Sequence, residues 1–425
     1  MTRKVWLTLG LVLVVVGGSA AALDVVSDPI AVWDDDVNNR VTDVVYNPQH
    51  DEYLILFHNI RAASIDIYAR RVAGDGTVLS WFAVVSGAGE KHVDARASYC
   101  PTQDEYLVAW TRQQDTGTKD DVLARTVFWN GSSMGPIFAV VADVDHQRAP
   151  DVAYNQFDDE YLVVYHNQWG GGLEDVAAQR IRASDRAFLS WANIATGSPD
   201  RHYPRVAYLS EENTYLIAYT LEQKGVYAKL ALANLAGVSV APEIVIRFDP
   251  GILISWPIGV AAGPGGYLVA WKEVDPARTS VSARARHVNP AGVPPGPANG
   301  FLVSDSIGSW SAGDRVSVSS GLYGNFMVVW SADHSSISTD VEGAVVGPES
   351  NTTSAGPLPV SNETLNQFLP ALDCAMAGAC LVAYTDDFTQ GVQADFDVRA
   401  RLFRPVVFAD RFETGDVLAW SNSVP

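Results

Sequence analysis

The stretch "DEYLILFHN", residues 51–59, returns as "DEYLVAWTR" at 104–112 and as "DDEYLVVYHN" at 158–167. Its apolar run has neither the alternation of a half-exposed strand nor the spacing of an amphipathic helix. A continuous run of this length reads as a strand buried on both faces. One such strand is ordinary; the same strand written repeatedly is an architectural statement.

Anchoring each copy on the residue that opens the apolar run gives Tyr53, Tyr106, Tyr161, Tyr215, Tyr267, Phe326 and Cys380. The spacings are 53, 55, 54, 52, 59 and 54 residues. A first strand precedes each anchor, as in "VVYN" (44–47), "VAYN" (152–155) and "VAYL" (206–209). A third follows, as in "DIYARRV" (66–72), "DVAAQRI" (175–181) and "DVRARLF" (397–403). Its fourth position is always small: Ala69, Ala124, Ala178, Ala228, Ala283, Gly343 and Ala400. Where sheets pack face to face, a small side chain there admits a large one opposite. A fourth strand follows turns such as "AGDG" (73–76) and "NPAG" (289–292). Four strands per repeat at this period predict an all-β chain, a seven-bladed β-propeller of four-stranded antiparallel blades. The last copy has no fourth strand of its own. The segment "LDVVSDP" (23–29) resembles the fourth-strand endings "AVVSGAG" and "FLVSDSI". Residues 24–27 are therefore expected to supply that strand and close the ring.

The repeat pattern, "DEYLVVW" followed by "DVxARR" and "DG", resembles the repeats of secreted bacterial β-propeller proteins, many without an assigned activity. The resemblance covers residues 24–405 and implies architecture, not chemistry. The S-x-D-x-G-x-T-W box of sialidase-like propellers is missing, as are WD40 and kelch marks. The tail "FADRFETGDVLAWS" (408–421) resembles a short C-terminal motif of secreted bacterial proteins, with departures at Arg411 and Thr414.

Arg3 and Lys4, an apolar run from Val5 to Val16 and the small residues to Ala22 form a signal-peptide pattern. The division expected is a signal peptide over 1–22, the propeller over 23–405 and a tail motif over 406–425. Removing 1–22 leaves 27 Lys and Arg against 49 Asp and Glu, a net charge of −22. Such a surface repels phosphate backbones, which excludes nucleic acid as a natural partner. No later segment is apolar enough to span a membrane. A secreted monomer, extracellular or periplasmic, is expected. Cys374 and Cys380 flank the turn "AMAGA" and are disulfide candidates in an oxidising compartment, whereas Cys100 has no evident partner. No Cys or His spacing indicates zinc, and no cofactor motif occurs.

Candidate chemistry sits after the second strand of each repeat, on one predicted loop face. The residues singled out are His58, Asn59, Arg112, His166, Asn167, Lys272 and Asp386, with Trp169 in the loop "NQWGGG". His92, His146 and His202 fall in loops entering the first strand, on the same face. Imidazoles suit a metal, but ligands drawn from separate repeats have no spacing to support one, so no metal is assigned. The acidic run Asp34–Asp36 reads as a solvated loop. The leading reading is a binding protein that docks a glycan or a protein on this face, with aromatic stacking as the sugar contact. The alternative is a carbohydrate-active enzyme, a glycoside hydrolase or polysaccharide lyase, with its site at the central channel.

Overall fold

The structure is a computed structural model. It describes residues 23–405 apart from 26, 114–118, 144, 169–171, 223, 235–236, 275–280, 306–314, 322–323, 336–337, 349–352, 362, 364–365, 377 and 388–395. Among the described residues there is no α-helix, and none long and apolar enough to cross a membrane.

Each sequence repeat folds into a small antiparallel sheet. In the third, His146–Asn155, Glu160–Gln168, Glu174–Arg182 and Phe188–Ala195 pair in that order. The letters of "DEYL" have separable jobs. Asp51, Asp104, Asp159 and Asn213 close the first hairpin with φ of 48°, 51°, 51° and 50°. Asp and Asn tolerate this left-handed conformation better than other side chains. Each also accepts a phenol hydrogen bond from the first strand: Tyr46 to Asp51 at 3.0 Å, Tyr99 to Asp104 at 2.6 Å, Tyr154 to Asp159 at 2.8 Å and Tyr208 to Asn213 at 2.9 Å. The glutamate is buried against an arginine of the third strand, Glu52 with Arg71 and Glu160 with Arg180, both at 2.8 Å to Nε.

The apolar run buries both of its faces. Leu54 and Leu56 pack with Tyr106, Val108 and Trp110 of the second repeat. Their neighbours Tyr53, Ile55 and Phe57 pack the other way, against Leu381, Ala383 and Leu402 of the last repeat. Burying a large apolar side chain is worth about 1.5–3 kcal/mol, so the inter-sheet layers carry most of the stabilisation. The small position of the third strand is buried throughout. At Gly343 an added Cβ would sit 3.3 Å from both Met327 and Val329.

Six hydrogen-bonded sheets result, the first two repeats being joined by one parallel pairing of Ile65 with Lys91. The chain is a β-propeller. The last repeat takes its outer pairing from the N-terminal segment. Leu23–Val25 pairs with the end of Phe396–Pro405, and Ile30–Trp33 pairs with the same strand nearer its start. The pairing is thus longer than the expected 24–27 and is interrupted between its two parts. Cys374 and Cys380 form a disulfide across their hairpin, with S–S 2.00 Å, and Cys100 is buried and free. The tail motif and the leader lie outside the described residues.

Candidate functional site at the channel mouth

The residues expected in loops are in strands. His58 and Asn59 lie in Glu52–Ile60, Arg112 in Glu105–Gln113, His166 and Asn167 in Glu160–Gln168, Lys272 in Gly266–Val274 and Asp386 in Cys380–Asp387. His92, His146 and His202 are likewise inside first strands. The two strands of each hairpin stay paired past the apolar run, because backbone groups there still need partners. Arg40 sits opposite His58, and Arg148 opposite His166.

Most of these side chains are ties. Asn59 donates to Asn39 at 2.8 Å, and Asn167 accepts from Gln147 at 2.8 Å. Arg112 pairs with Asp121 at 2.5 Å. Lys272 is buried and donates to the Ser331 carbonyl at 2.9 Å. Asp386 accepts from Gln367 at 2.9 Å. His92 accepts from the Trp110 indole at 3.0 Å. Asp35 caps its own turn by accepting from Val37 and Asn39. Among the described residues no group of His, Cys, Asp or Glu is arranged to hold a metal. Trp169 lies outside the described residues.

His58, His166 and His202 differ from the others, because each lines a cavity. His166 lines one of about 330 Å³ with Arg148, Glu174, His202, Tyr203, Glu222 and Trp256. Its ring meets Tyr203 edge-on at 5.6 Å and His202 at 6.3 Å. Burial pushes the imidazole down to about 4, so it is neutral at ordinary pH, and its Nδ1 is buried without a partner. Burial would raise the Glu174 carboxyl. The hydrogen bond it shares with His202, together with the nearby His166 and Arg148, outweighs that and holds it below its usual range. Burial raises the Tyr203 phenol and keeps it protonated. Tyr203 stacks on Trp256 at 5.4 Å with 13° between planes. Arg148 is anchored to Asp120.

Tyr203 reaches this place by a backbone device. The first strands bulge between Val93 and Arg96, Arg148 and Asp151, His202 and Arg205, and Phe368 and Ala371. In each bulge one residue has positive φ: Asp94 (56°), Ala149 (49°), Tyr203 (50°) and Leu369 (53°). The conformation costs about 1–2 kcal/mol for a side chain such as Tyr. Bulges of this kind re-aim side chains and gather near functional sites.

Tyr203 and Trp256 also line a second cavity of about 260 Å³, with His58, Arg40, Asp94, Arg96, Arg205 and Arg315. That cavity shares Arg96, Arg205 and Arg315 with a third, about 300 Å³, whose wall is built by the first strands of every repeat. The middle cavity thus shares wall residues with each of the other two. On the axis the residue three before the hairpin tyrosine is Asp43, Arg96, Asp151 and Arg205 in successive repeats. The equivalents later in the chain are Gly259, Ser317 and Ala371. Four of these seven positions are charged and three are small.

No protein-family model matches the chain, and no curated protein matches it. Similar solved structures exist at very low identity. An ulvan lyase of polysaccharide lyase family PL25 is similar over 87% of this chain and 95% of its own, at 9% identity and a TM-score of 0.57. A protein of unknown function from Dyadobacter fermentans is similar over 90% of this chain and 99% of its own, at 8% identity and a TM-score of 0.50. At such identities the likeness is one of fold.

Proposed function

We propose that the chain is a secreted seven-bladed β-propeller, closed by its N-terminal strands, that cleaves an acidic polysaccharide by β-elimination at the channel mouth. One observation carries this: a neutral imidazole, a protonated phenol and a guanidinium line the same cavity, with a stacked Tyr203–Trp256 pair as its wall. The elimination needs those three groups. A base takes the proton from the carbon next to the uronate carboxylate, and the electron pair becomes a carbon–carbon double bond. The glycosidic C–O bond breaks, and an acid returns a proton to the leaving oxygen. His166 serves as the base, Tyr203 as the acid, and Arg148 offsets the charge that grows on the carboxylate. The Glu174–His202 pair holds the adjoining wall. A glycoside hydrolase would need two facing carboxylates; of the two on this cavity wall, Glu174 is bound to His202 and Glu222 is paired with Lys224. Seven inter-sheet apolar layers, the last joining the first and seventh repeats, support the closed ring.

Glucuronate-containing saccharides are the substrates to try first, since the ulvan lyase of similar fold was solved bound to -[GlcA(1-4)Rha3S]-. The test is absorbance of the unsaturated uronyl product against a panel of acidic polysaccharides. Product with wild type and none with Tyr203→Phe is the expected result. Saturable binding without product would make the same chamber a glycan-binding site. Inertness towards the whole panel, with no binding, would overturn both readings.

A further inference from the structure

Arg96, Arg205 and Arg315 come from the second, fourth and sixth repeats, alternate positions around the axis, and line both axial cavities. Their charges are unevenly met. Arg96 pairs with Asp43 at 3.1 Å. Arg205 donates to the carbonyl of its neighbour Pro204 at 3.0 Å and, among the described residues, to no carboxylate. Arg315 is 9% exposed and reaches the Thr42 carbonyl at 2.6 Å, while its Nε is buried without a partner. Carbonyl contacts satisfy N–H groups but cancel no charge. Asp151 and Asp373, the nearby acids, accept from the backbone N–H groups of Val206 and Tyr46, at 2.8 Å each, and among the described residues bind none of the three arginines directly. Asp94 adds a further counter-charge beside Asp43 and Asp151. It sits in a bulge, faces the same cavity and makes no direct hydrogen bond among the described residues.

We propose that Arg96, Arg205 and Arg315 form an axial binding site for a small oxyanion, sulfate or carboxylate, for which the Asp94 carboxylate is the built-in competitor. Guanidiniums approaching from three sides suit an anion whose oxygens point several ways. The site adjoins the His166 chamber through Tyr203 and Trp256, but none of its three arginines lines that chamber, so its loss would leave that reading intact. The oxyanion is either free in solution or a substituent of a saccharide entering from the chamber.

The experiment is isothermal titration calorimetry of the full chain at fixed ionic strength. Sodium sulfate and glucuronate are the free-anion arms, and a sulfated, glucuronate-containing oligosaccharide is the other. Saturable binding of sulfate or glucuronate is expected. Arg315→Gln and Arg205→Gln should each weaken it about tenfold or more, the usual size of a lost charged hydrogen bond. Asp94→Asn should tighten it several-fold, and Asn is at ease at that φ. Tight binding of the oligosaccharide alone, lost in the same variants, would assign the anion to the saccharide. Should Arg315→Gln fail to give wild-type circular dichroism, Arg315→Lys keeps the charge and should bind at an intermediate level. Absence of saturable heat in every arm, or unchanged affinity in folded arginine variants, would overturn the proposal. Unchanged affinity in Asp94→Asn would overturn the competitor role.

Discussion

His58-Asn59 of the first repeat and His166-Asn167 of the third are the same two letters at the same place in the same strand. The asparagines behave alike, each bound at 2.8 Å to an amide side chain of the first strand, Asn39 or Gln147. The histidines do not. Burial, then Arg315 and Arg40, pushes His58 down to about 3, so it lies in a cationic pocket. His166 sits beside Glu174 and Tyr203. The other repeats supply a control. Thr111 and Thr385 occupy the equivalent position and accept, at 3.0 Å each, from Ala149 N and Val41 N of the following repeat. A threonine there fastens neighbouring sheets, whereas each histidine leaves a buried ring nitrogen unpartnered. An unmet polar atom in a well-packed core calls for a functional explanation. The neighbours, not the letters, decide what a repeated position does.

Four measurements break or sharpen that contrast. His166→Asn should lower turnover by about 10²–10⁴-fold, the usual contribution of a positioned base. His58→Asn should leave turnover within a few-fold, and equal losses in both would end the distinction. The second is acid stability. The unfolded imidazole takes a proton near 6.5, whereas folded His166 resists until about 4. The unfolded chain therefore binds more protons in that window, and stability must fall as pH drops through it. His166 alone contributes on the order of 3 kcal/mol of that loss. Denaturant midpoints for His166→Asn should decline less between pH 6.5 and 4 than those of wild type. Asp151 and Asp373, raised by burial, act in the opposite sense, so the difference between the two proteins is the quantity to read.

Third, Thr111→Val and Thr385→Val should each cost about 1–3 kcal/mol, because a buried N–H loses its acceptor. His58→Thr should be neutral or stabilising by the same denaturation assay. The smallest effect should be Asn59→Ala against Asn167→Ala, with similar losses of about 1 kcal/mol each. Unequal losses would mean that the asparagines also differ.

The propeller was legible because every repeat must bury both faces of its second strand, and that demand writes "YLVVW" again and again. The small third-strand position was legible for the same reason. The polar pair was visible too, but placing it in loops was wrong, since strand pairing outlasts the apolar run. The chamber was hidden because its wall is assembled from separate repeats: His166 from the third, His202 and Tyr203 from the fourth, Trp256 from the fifth. Nothing local marks Tyr203, whose position depends on a bulge with φ of 50°. The axial charges did leave a signal. Asp43, Arg96, Asp151 and Arg205 stand at one offset before the hairpin tyrosine, a regularity found only by comparing repeats with one another.

The most direct test is a crystal structure of Tyr203→Phe with a glucuronate-containing oligosaccharide. The uronate carboxylate should lie on Arg148, a sugar ring should stack on Trp256, and the carbon beside the carboxylate should face the His166 ring. A saccharide bound at the outer rim, with the His166 chamber empty, would contradict the account.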